Sequence, residues 1–168
     1  DGAAATQVPE LPSQVPGSLI GMLKSSEGYG TKIDPSDPNS DVKAYPDFKQ
    51  YSIGFGTKGY KGEVITHAQA EQRLMSMAAG FRSDVLDKRS KFGYNWDEQQ
   101  VDALTSFAYN LGSGAINQVT ANGTRDNATI AQKMVLYNKA GGQFNQGLYD
   151  RRLEEQGKFN STNAMPKA

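Results

Sequence analysis

Two carboxylates in the N-terminal third of the chain are placed to do acid–base work together. Glu27 closes the apolar segment "SLIGMLKSSEG", and Asp47 follows "AYP" twenty positions later. The carbonyl end of a helix carries partial negative charge, which disfavours an ionised carboxylate, and partial burial acts in the same direction. Glu27 is therefore expected to keep its proton at neutral pH. Asp47, at a hairpin turn, is expected to be solvated and ionised. Two carboxyls in unlike environments suit cleavage of a glycosidic bond, where one protonates the leaving oxygen and the other activates water or attacks the sugar. Spacing alone makes this a weak signal, because Glu and Asp are common at protein surfaces.

The elements that must position this pair read as follows. Residues 1–17, "DGAAATQVPELPSQVPG", show no period and carry three prolines, as a linker or tether would. A helix is expected from "SLIGMLKSSEG", with Ser18 as N-cap, Leu19, Ile20 and Leu23 on one face, and Gly28 as the stop. Residues 31–43 read as a Pro-, Asp- and Ser-rich loop. "AYPD", a turn and "YSIGFGT" then form a β segment in which Tyr51, Ile53 and Phe55 alternate. "EVIT" adds a third short strand. Gly54 and Gly56 weaken such a strand, so either they let its backbone approach a ligand or a helix closely, or they only relieve twist in an edge hairpin.

From residue 66 the apolar period changes to that of a helix. Thr66 with Gln69 forms a capping box, and Leu74, Met77, Ala78, Phe81 and Val85 follow at helical spacing. A second helix carries Val101, Leu104, Ala108 and Leu111 on one face and stops at Gly112. A shorter one is capped by Asn127 and stopped by Gly141. The last, "GLYDRRLEEQGKF", sets Arg151 and Glu155 at pairing distance. The expected fold is α+β. A small lobe (18–65) with a hairpin or three-stranded sheet is joined by a long helix (66–89) to a helical lobe (90–160), and 161–168 form a loose tail. A cleft between two lobes is a common place for a substrate.

Composition narrows the partners. Lys+Arg and Asp+Glu number 18 each, so no basic excess favours a nucleic acid. The absence of cysteine excludes disulfides and thiolate metal sites. No apolar run approaches membrane-spanning length, and no signal-peptide core appears at the start. The lone His67 has no second imidazole to share a metal with and reads as an exposed helix-start residue. "DPNSD" mimics the first ligands of a calcium loop but has Val42 where glycine and Phe48 where glutamate are required, so a solvated acidic loop is expected. No cofactor is implied. Tyr94 and Trp96 read as packing residues, with sugar stacking as the alternative.

"LIGMLKSSEGYG", "AYPDFKQYSIGFGT", "ALTSFAYNLGSGAI" and "GLYDRRLEEQGKF", in this order, resemble the landmarks of the phage-type lysozymes, glycoside hydrolase family 24. The resemblance covers about residues 18–160. It implies that Glu27 is the acid, Asp47 the water-activating base and Ser52 the hydroxyl at the family's Thr position. It also implies a substrate-binding set of Tyr45, Gly54, Phe55, Asn110 and Arg152. Ser replaces Thr at 52, Thr57 stands where the family often has His, and the interval from Glu27 to Asp47 is longer than the family's. The implied substrate is peptidoglycan, cleaved between N-acetylmuramic acid and N-acetylglucosamine by a single displacement with inversion. The implied setting is a virion or the host's periplasm and wall, with the leader as a tether to a larger virion or tail protein. Asp47 and Ser52 are expected to share a water across the hairpin mouth. Arg151 or Arg152 is expected either to brace the helical lobe through a carboxylate near Glu27, or to pair on the surface with Glu154 or Glu155. A lytic transglycosylase, with Glu27 acting almost alone, and a non-catalytic wall-binding module are the competing readings.

Overall fold

Helix α1 (Gly17–Glu27) begins one residue before the expected N-cap. Pro16 sits ahead of it in extended backbone (φ −68°, ψ 148°), and its carbonyl accepts the amides of Leu19 (3.1 Å) and Ile20 (3.2 Å). Ser18 thus lies inside the first turn, and no side chain caps the helix. Proline supplies the entry geometry in its place. Leu19, Met22 and Leu23 are buried, and Gly28 (φ 70°) ends the helix with its amide on the Lys24 carbonyl.

The structure, a computed structural model, describes residues 11, 12 and 14–161. They fall into two units. One is Val15–Phe81; the other runs from Arg82 onward and includes the described residues before Val15.

The Val15–Phe81 unit holds two small antiparallel sheets. Strands β1 (Val42–Lys43) and β5 (Val64–Ile65) pair with each other. Strands β2 (Tyr45–Asp47), β3 (Gln50–Ile53) and β4 (Thr57–Gly59) form a second sheet in that order. The expected single strand "YSIGFGT" is therefore broken. Gly54 (φ 63°) and Gly56 (φ 79°) take left-handed backbone and turn the chain between β3 and β4. Glycine enters that region without a Cβ penalty. The expected strand at "EVIT" forms, but it pairs with β1.

Helix α2 (His67–Phe92) starts at the anticipated capping box. The Thr66 amide donates to Gln69 Oε1 (2.9 Å), and the Gln69 amide donates to Thr66 Oγ1 (3.1 Å). It runs past residue 89 to Phe92, where Gly93 (φ 73°) follows. The first unit takes this helix through Phe81.

In the other unit, α3 (Glu98–Leu111) is capped by a box between Asp97 and Gln100 and stopped by Gly112. Every residue from Gln100 to Tyr109 is buried, so the helix is enclosed on all sides instead of presenting one stripe. Leu111, expected inside, lies past that stretch and is exposed. A short helix, α4 (Gly114–Val119), was not expected. Helix α5 (Asn127–Met134) is capped by Asp126, whose Oδ1 accepts the Thr129 amide (2.8 Å). Asn127 instead accepts the indole N–H of the fully buried Trp96 (2.9 Å). The helix ends at Met134, and Gly141 and Gly142 turn a hairpin between β6 (Lys139–Ala140) and β7 (Gln143–Phe144). Helix α6 (Gln146–Asn160) is capped by Asn145 and packs on α3. Part of the segment read as a tether is held down, since the Pro12 carbonyl accepts two N–H groups of Arg82 (3.2 and 3.0 Å). The expected loose tail lies outside the described residues beyond Ser161. Among the described residues no helix is long and apolar enough to cross a membrane.

Candidate active site

Glu27 is the last residue of α1. The chain leaves the helix through Gly28 and is bridged at Gly30 to Gly54, with the Gly30 amide on the Gly54 carbonyl (3.4 Å). The end of α1 is thereby tied to the β3–β4 turn. There a Cβ on Gly56 would stand 2.5 Å from Glu27 Oε2. The carboxyl lies against backbone that any other residue would obstruct. A Cβ on Gly54 would stand 3.0 Å from the Ala70 Cβ of α2. Of the two expected roles for Gly54, close approach to the helix is the one observed, while Gly56 makes room for the acid.

The β2–β3 hairpin supplies the remaining groups. Tyr45 pairs with Ser52 and Asp47 with Gln50, so Tyr45, Asp47 and Ser52 share one face of the pleat. Ser52, only 5 % exposed, donates to Asp47 Oδ2 at 2.8 Å. The two residues expected to face each other across the hairpin are in direct contact, because the short interval sets Ser52 diagonal to Asp47 on the neighbouring strand. Burial pushes the Tyr45 phenol up, and Asp47 and Glu27 push it further. Both carboxylates therefore act on one hydroxyl. Gly30 makes space for this ring, since a Cβ there would stand 3.2 Å from Tyr45 Cε1. Phe48 sits at the hairpin tip with φ 56° and is 91 % exposed.

Phe55, between the two glycines, is 4 % exposed. Its ring stacks on Tyr29 (4.8 Å) and meets His67 edge-on (6.2 Å), with the Lys24 ammonium 5.4 Å above it. His67 is half-buried and also packs edge-on against Tyr29, with Nε2 3.7 Å from Glu71 Oε1. It is a packing residue with an acidic neighbour, not the freely exposed helix-start residue expected. Tyr94 and Trp96 stack at 4.4 Å.

Asn110 and Arg152 belong to the other unit. Arg152 is fully buried and donates to Asn110 Oδ1 (2.9 Å), and its guanidinium lies 5.0 Å over the Phe107 ring. Glu155, also fully buried, lies with Oε1 2.8 Å from Arg152 Nε and accepts the Ser106 hydroxyl at 2.6 Å and Arg151 Nε at 3.4 Å. Of the two expected roles, bracing through a carboxylate is the one observed, and the carboxylate is the internal Glu155, not one at the surface. Burial pushes the Glu155 carboxyl up, while Arg152, Ser106 and Arg151 pull it down. In the acidic loop, Asp34 Oδ1 accepts the hydroxyl and amide of Ser36 and is held below the usual carboxylate range by them. Asp37 Oδ1 accepts the Asn39 amide. Among the described residues no group of acidic or histidine side chains could hold a metal ion.

Sequence reasoning placed Tyr45 with the substrate but missed its coupling to both carboxylates, and it missed that Gly56 clears space for Glu27. The one available signal for Gly56 was a second glycine inside an apparent strand.

The sequence pattern described as Phage lysozyme matches residues 39–155. The endolysin of Bacillus phage PZA is 37% identical over 155 residues, which cover 88% of this chain and 55% of that protein. The endolysin of Lactococcus phage c2 is 36% identical over 121 residues, 70% of this chain and 51% of that protein. The chain thus spans about half the length of the curated relatives it matches. Among solved structures, the muramidase domain of SpmX from Asticaccaulis excentricus superposes with a TM-score of 0.71 at 22% identity, covering 89% of this chain and 99% of that one. The endolysin from Escherichia coli O157:H7 phage FAHEc1 gives 0.65 at 24% identity, covering 92% and 97%. Sequence and fold agree, and the chain belongs to the phage lysozyme family.

Proposed function

We propose that this chain hydrolyses the β-1,4 bond between N-acetylmuramic acid and N-acetylglucosamine in peptidoglycan, with Glu27 as general acid and Asp47 as general base. The observation that carries the reading is that Glu27 lies against Gly56 just beyond β3, while Ser52 on β3 bonds Asp47. Membership of the phage lysozyme family supports it.

The chemistry is a single displacement. Asp47 takes a proton from water as the water oxygen bonds to the anomeric carbon. Glu27 gives its proton to the departing O4, and the glycosidic C–O bond breaks with inversion. Solvent exchange then returns one proton to Glu27 and removes one from Asp47. The Ser52 hydroxyl fixes one Asp47 oxygen and leaves the other for water. Gly56 keeps the Glu27 carboxyl unobstructed, and Tyr45, on the same face of the hairpin as Asp47, orients the sugar. Phe55 contributes by packing. Asn110 and the buried Arg152 form a braced pair inside the other unit. The biological role that fits is wall degradation by a phage at infection or at lysis, with the N-terminal segment leading to a larger virion protein.

The test is digestion of purified peptidoglycan with Glu27→Gln alongside. The unaltered chain should release reducing ends of inverted anomeric configuration. The variant should lose about 10²–10⁴-fold in rate at unchanged melting temperature. Anhydro-muramoyl ends would assign a lytic transglycosylase instead. Binding without release of any ends would assign a wall-binding module.

A further inference from the structure

The hairpin that carries Asp47 has a second face. Pro46 and Tyr51 pair in register one position from the Tyr45–Ser52 pair, so their side chains leave the sheet on the side opposite Asp47 and Ser52. Beside the free edge of β2 is a groove of about 430 Å³, lined among others by Pro46, Tyr51, Lys43, Lys61, Thr31 and Tyr45. Its volume is within the range of small-ligand sites.

Three properties say what it would hold. Its charge is of one sign: two lysines line it and no carboxylate does. Among the described residues neither ammonium has an ion-pair partner, in contrast to Lys24 with Glu71 and Arg73 with Glu63 in the same unit. It has no Asp, Glu, Asn or Gln in its lining, the side chains that commonly accept from sugar hydroxyls. Its floor, Pro46 and Tyr51, is apolar with a phenol at one end. An anion on a short, partly apolar chain fits this lining better than a saccharide does.

Its position says where that anion would come from. Tyr45 lines the groove and also feels Glu27 and Asp47, and β2 is an edge strand. A glycan passing over Asp47 stays on the first face. A branch from it, turning over the free edge of β2, reaches the groove. An extended peptide covers about 3.3–3.6 Å per residue, and half the spacing of packed sheets is about 5 Å, so two or three residues suffice. Thr31, a β-branched residue held at φ 59°, shapes one wall. Such a conformation persists only where its surroundings impose it.

We infer that this groove is a subsite for the stem peptide of peptidoglycan, with Lys43 and Lys61 taking its carboxylates. The inference deepens the proposed hydrolysis and rests on it for the identity of the glycan.

The experiment uses the full chain and the Lys43→Gln/Lys61→Gln double variant. Both lysines are exposed, so the melting temperature should not move. Two readouts are taken. In the first, kinetics on stem-bearing glycan are compared with those on glycan stripped of stems by an amidase. The double variant should raise KM roughly five- to tenfold on the stem-bearing glycan, leave kcat alone, and act normally on stripped glycan. In the second, a free stem tripeptide is titrated into the protein and followed by NMR. It should shift the groove's resonances, bind more weakly as salt rises, and bind more weakly still to the variant. An equal KM rise on stripped glycan would overturn the inference, as would an effect confined to walls that carry phosphate polymers. Hydrolysis without peptide binding would sink the subsite and spare the enzyme. Peptide binding without hydrolysis would do the reverse.

Discussion

In the Val15–Phe81 unit, each arginine or lysine ion pair has a partly exposed cation. Glu63 meets the partly exposed Arg73 at 2.6 Å, and Glu71 meets Lys24 at 2.6 Å. Both carboxyls are held below the usual range, first by the hydrogen bonds from those cations. From Arg82 onward two clusters are internal, and Arg82 also reaches the exposed Glu98 at 3.2 Å. Arg82 holds Asp102 at 2.8 Å, and Glu155 is sealed in with Arg152 and Arg151. There burial pushes both carboxyls up, against the pull of the arginines. The unit that carries Glu27 and Asp47 is built of short strands, turns and rim charges. The unit that carries α3 and α6 is built around an enclosed helix and a polar core. A buried pair adds little net stability while intact but is costly to break; a rim pair is cheap in both directions.

The comparison is broken most severely by removing one buried partner. Glu155→Ala leaves two buried guanidinium groups short of an anion and should cost about 3–5 kcal/mol. Glu71→Ala, in the partly exposed pair with Lys24, should cost about 1 kcal/mol or less. Urea titration of both variants gives the contrast, and equal losses would refute it. Next in size is Gly56→Ala. It meets both a left-handed φ and the Glu27 carboxyl, so about 1–3 kcal/mol of stability and most of the lytic rate should go together. Gly157→Ala in α6, where a Cβ meets nothing within 4 Å, should instead stabilise by about 0.5–1 kcal/mol. Helix capping gives a smaller effect. Asp97→Ala should cost about 1 kcal/mol, and Ser18→Ala, which removes no cap, should stay within about 0.5 kcal/mol of the unaltered chain.

Acid separates the units by sign. Glu63 and Glu71 are lowered in the folded state, so their stabilisation is present above the unfolded carboxylate pKa of about 4.3 and is lost as pH falls through the folded values. Asp102 and Glu155 are raised, so their favourable contribution is full below the unfolded value and fades as pH rises through the folded one. Amide hydrogen exchange between pH 6 and 3 should show protection in residues 15–81 weakening first.

Local chemistry was legible in the sequence wherever partners are close along the chain. The Thr66–Gln69 box, the stops at Gly28 and Gly112, and the association of Asp47 with Ser52 all depend on residues within five positions of one another or on a single backbone conformation. What the sequence hid depends on distant partners. The alternation of Tyr51, Ile53 and Phe55 reads as one strand, yet Phe55 is buried by Tyr29 and His67 beyond a turn. Asn127 looks like a cap, but Trp96 claims its side chain and leaves capping to Asp126. Arg151 and Glu155 have the spacing of a helical pair wherever the helix lies, so spacing could not tell inside from outside. The α4 helix is too short for its period to register.

The grip of Arg82 on the Pro12 carbonyl has a consequence for how the chain is held. The chain is fastened to the second unit before it enters α1, and it returns to that unit at Arg82 itself. Arg82 is itself held by the buried Asp102 at 2.8 Å, so the segment that leads into α1 is joined to the polar core of that unit through two successive contacts.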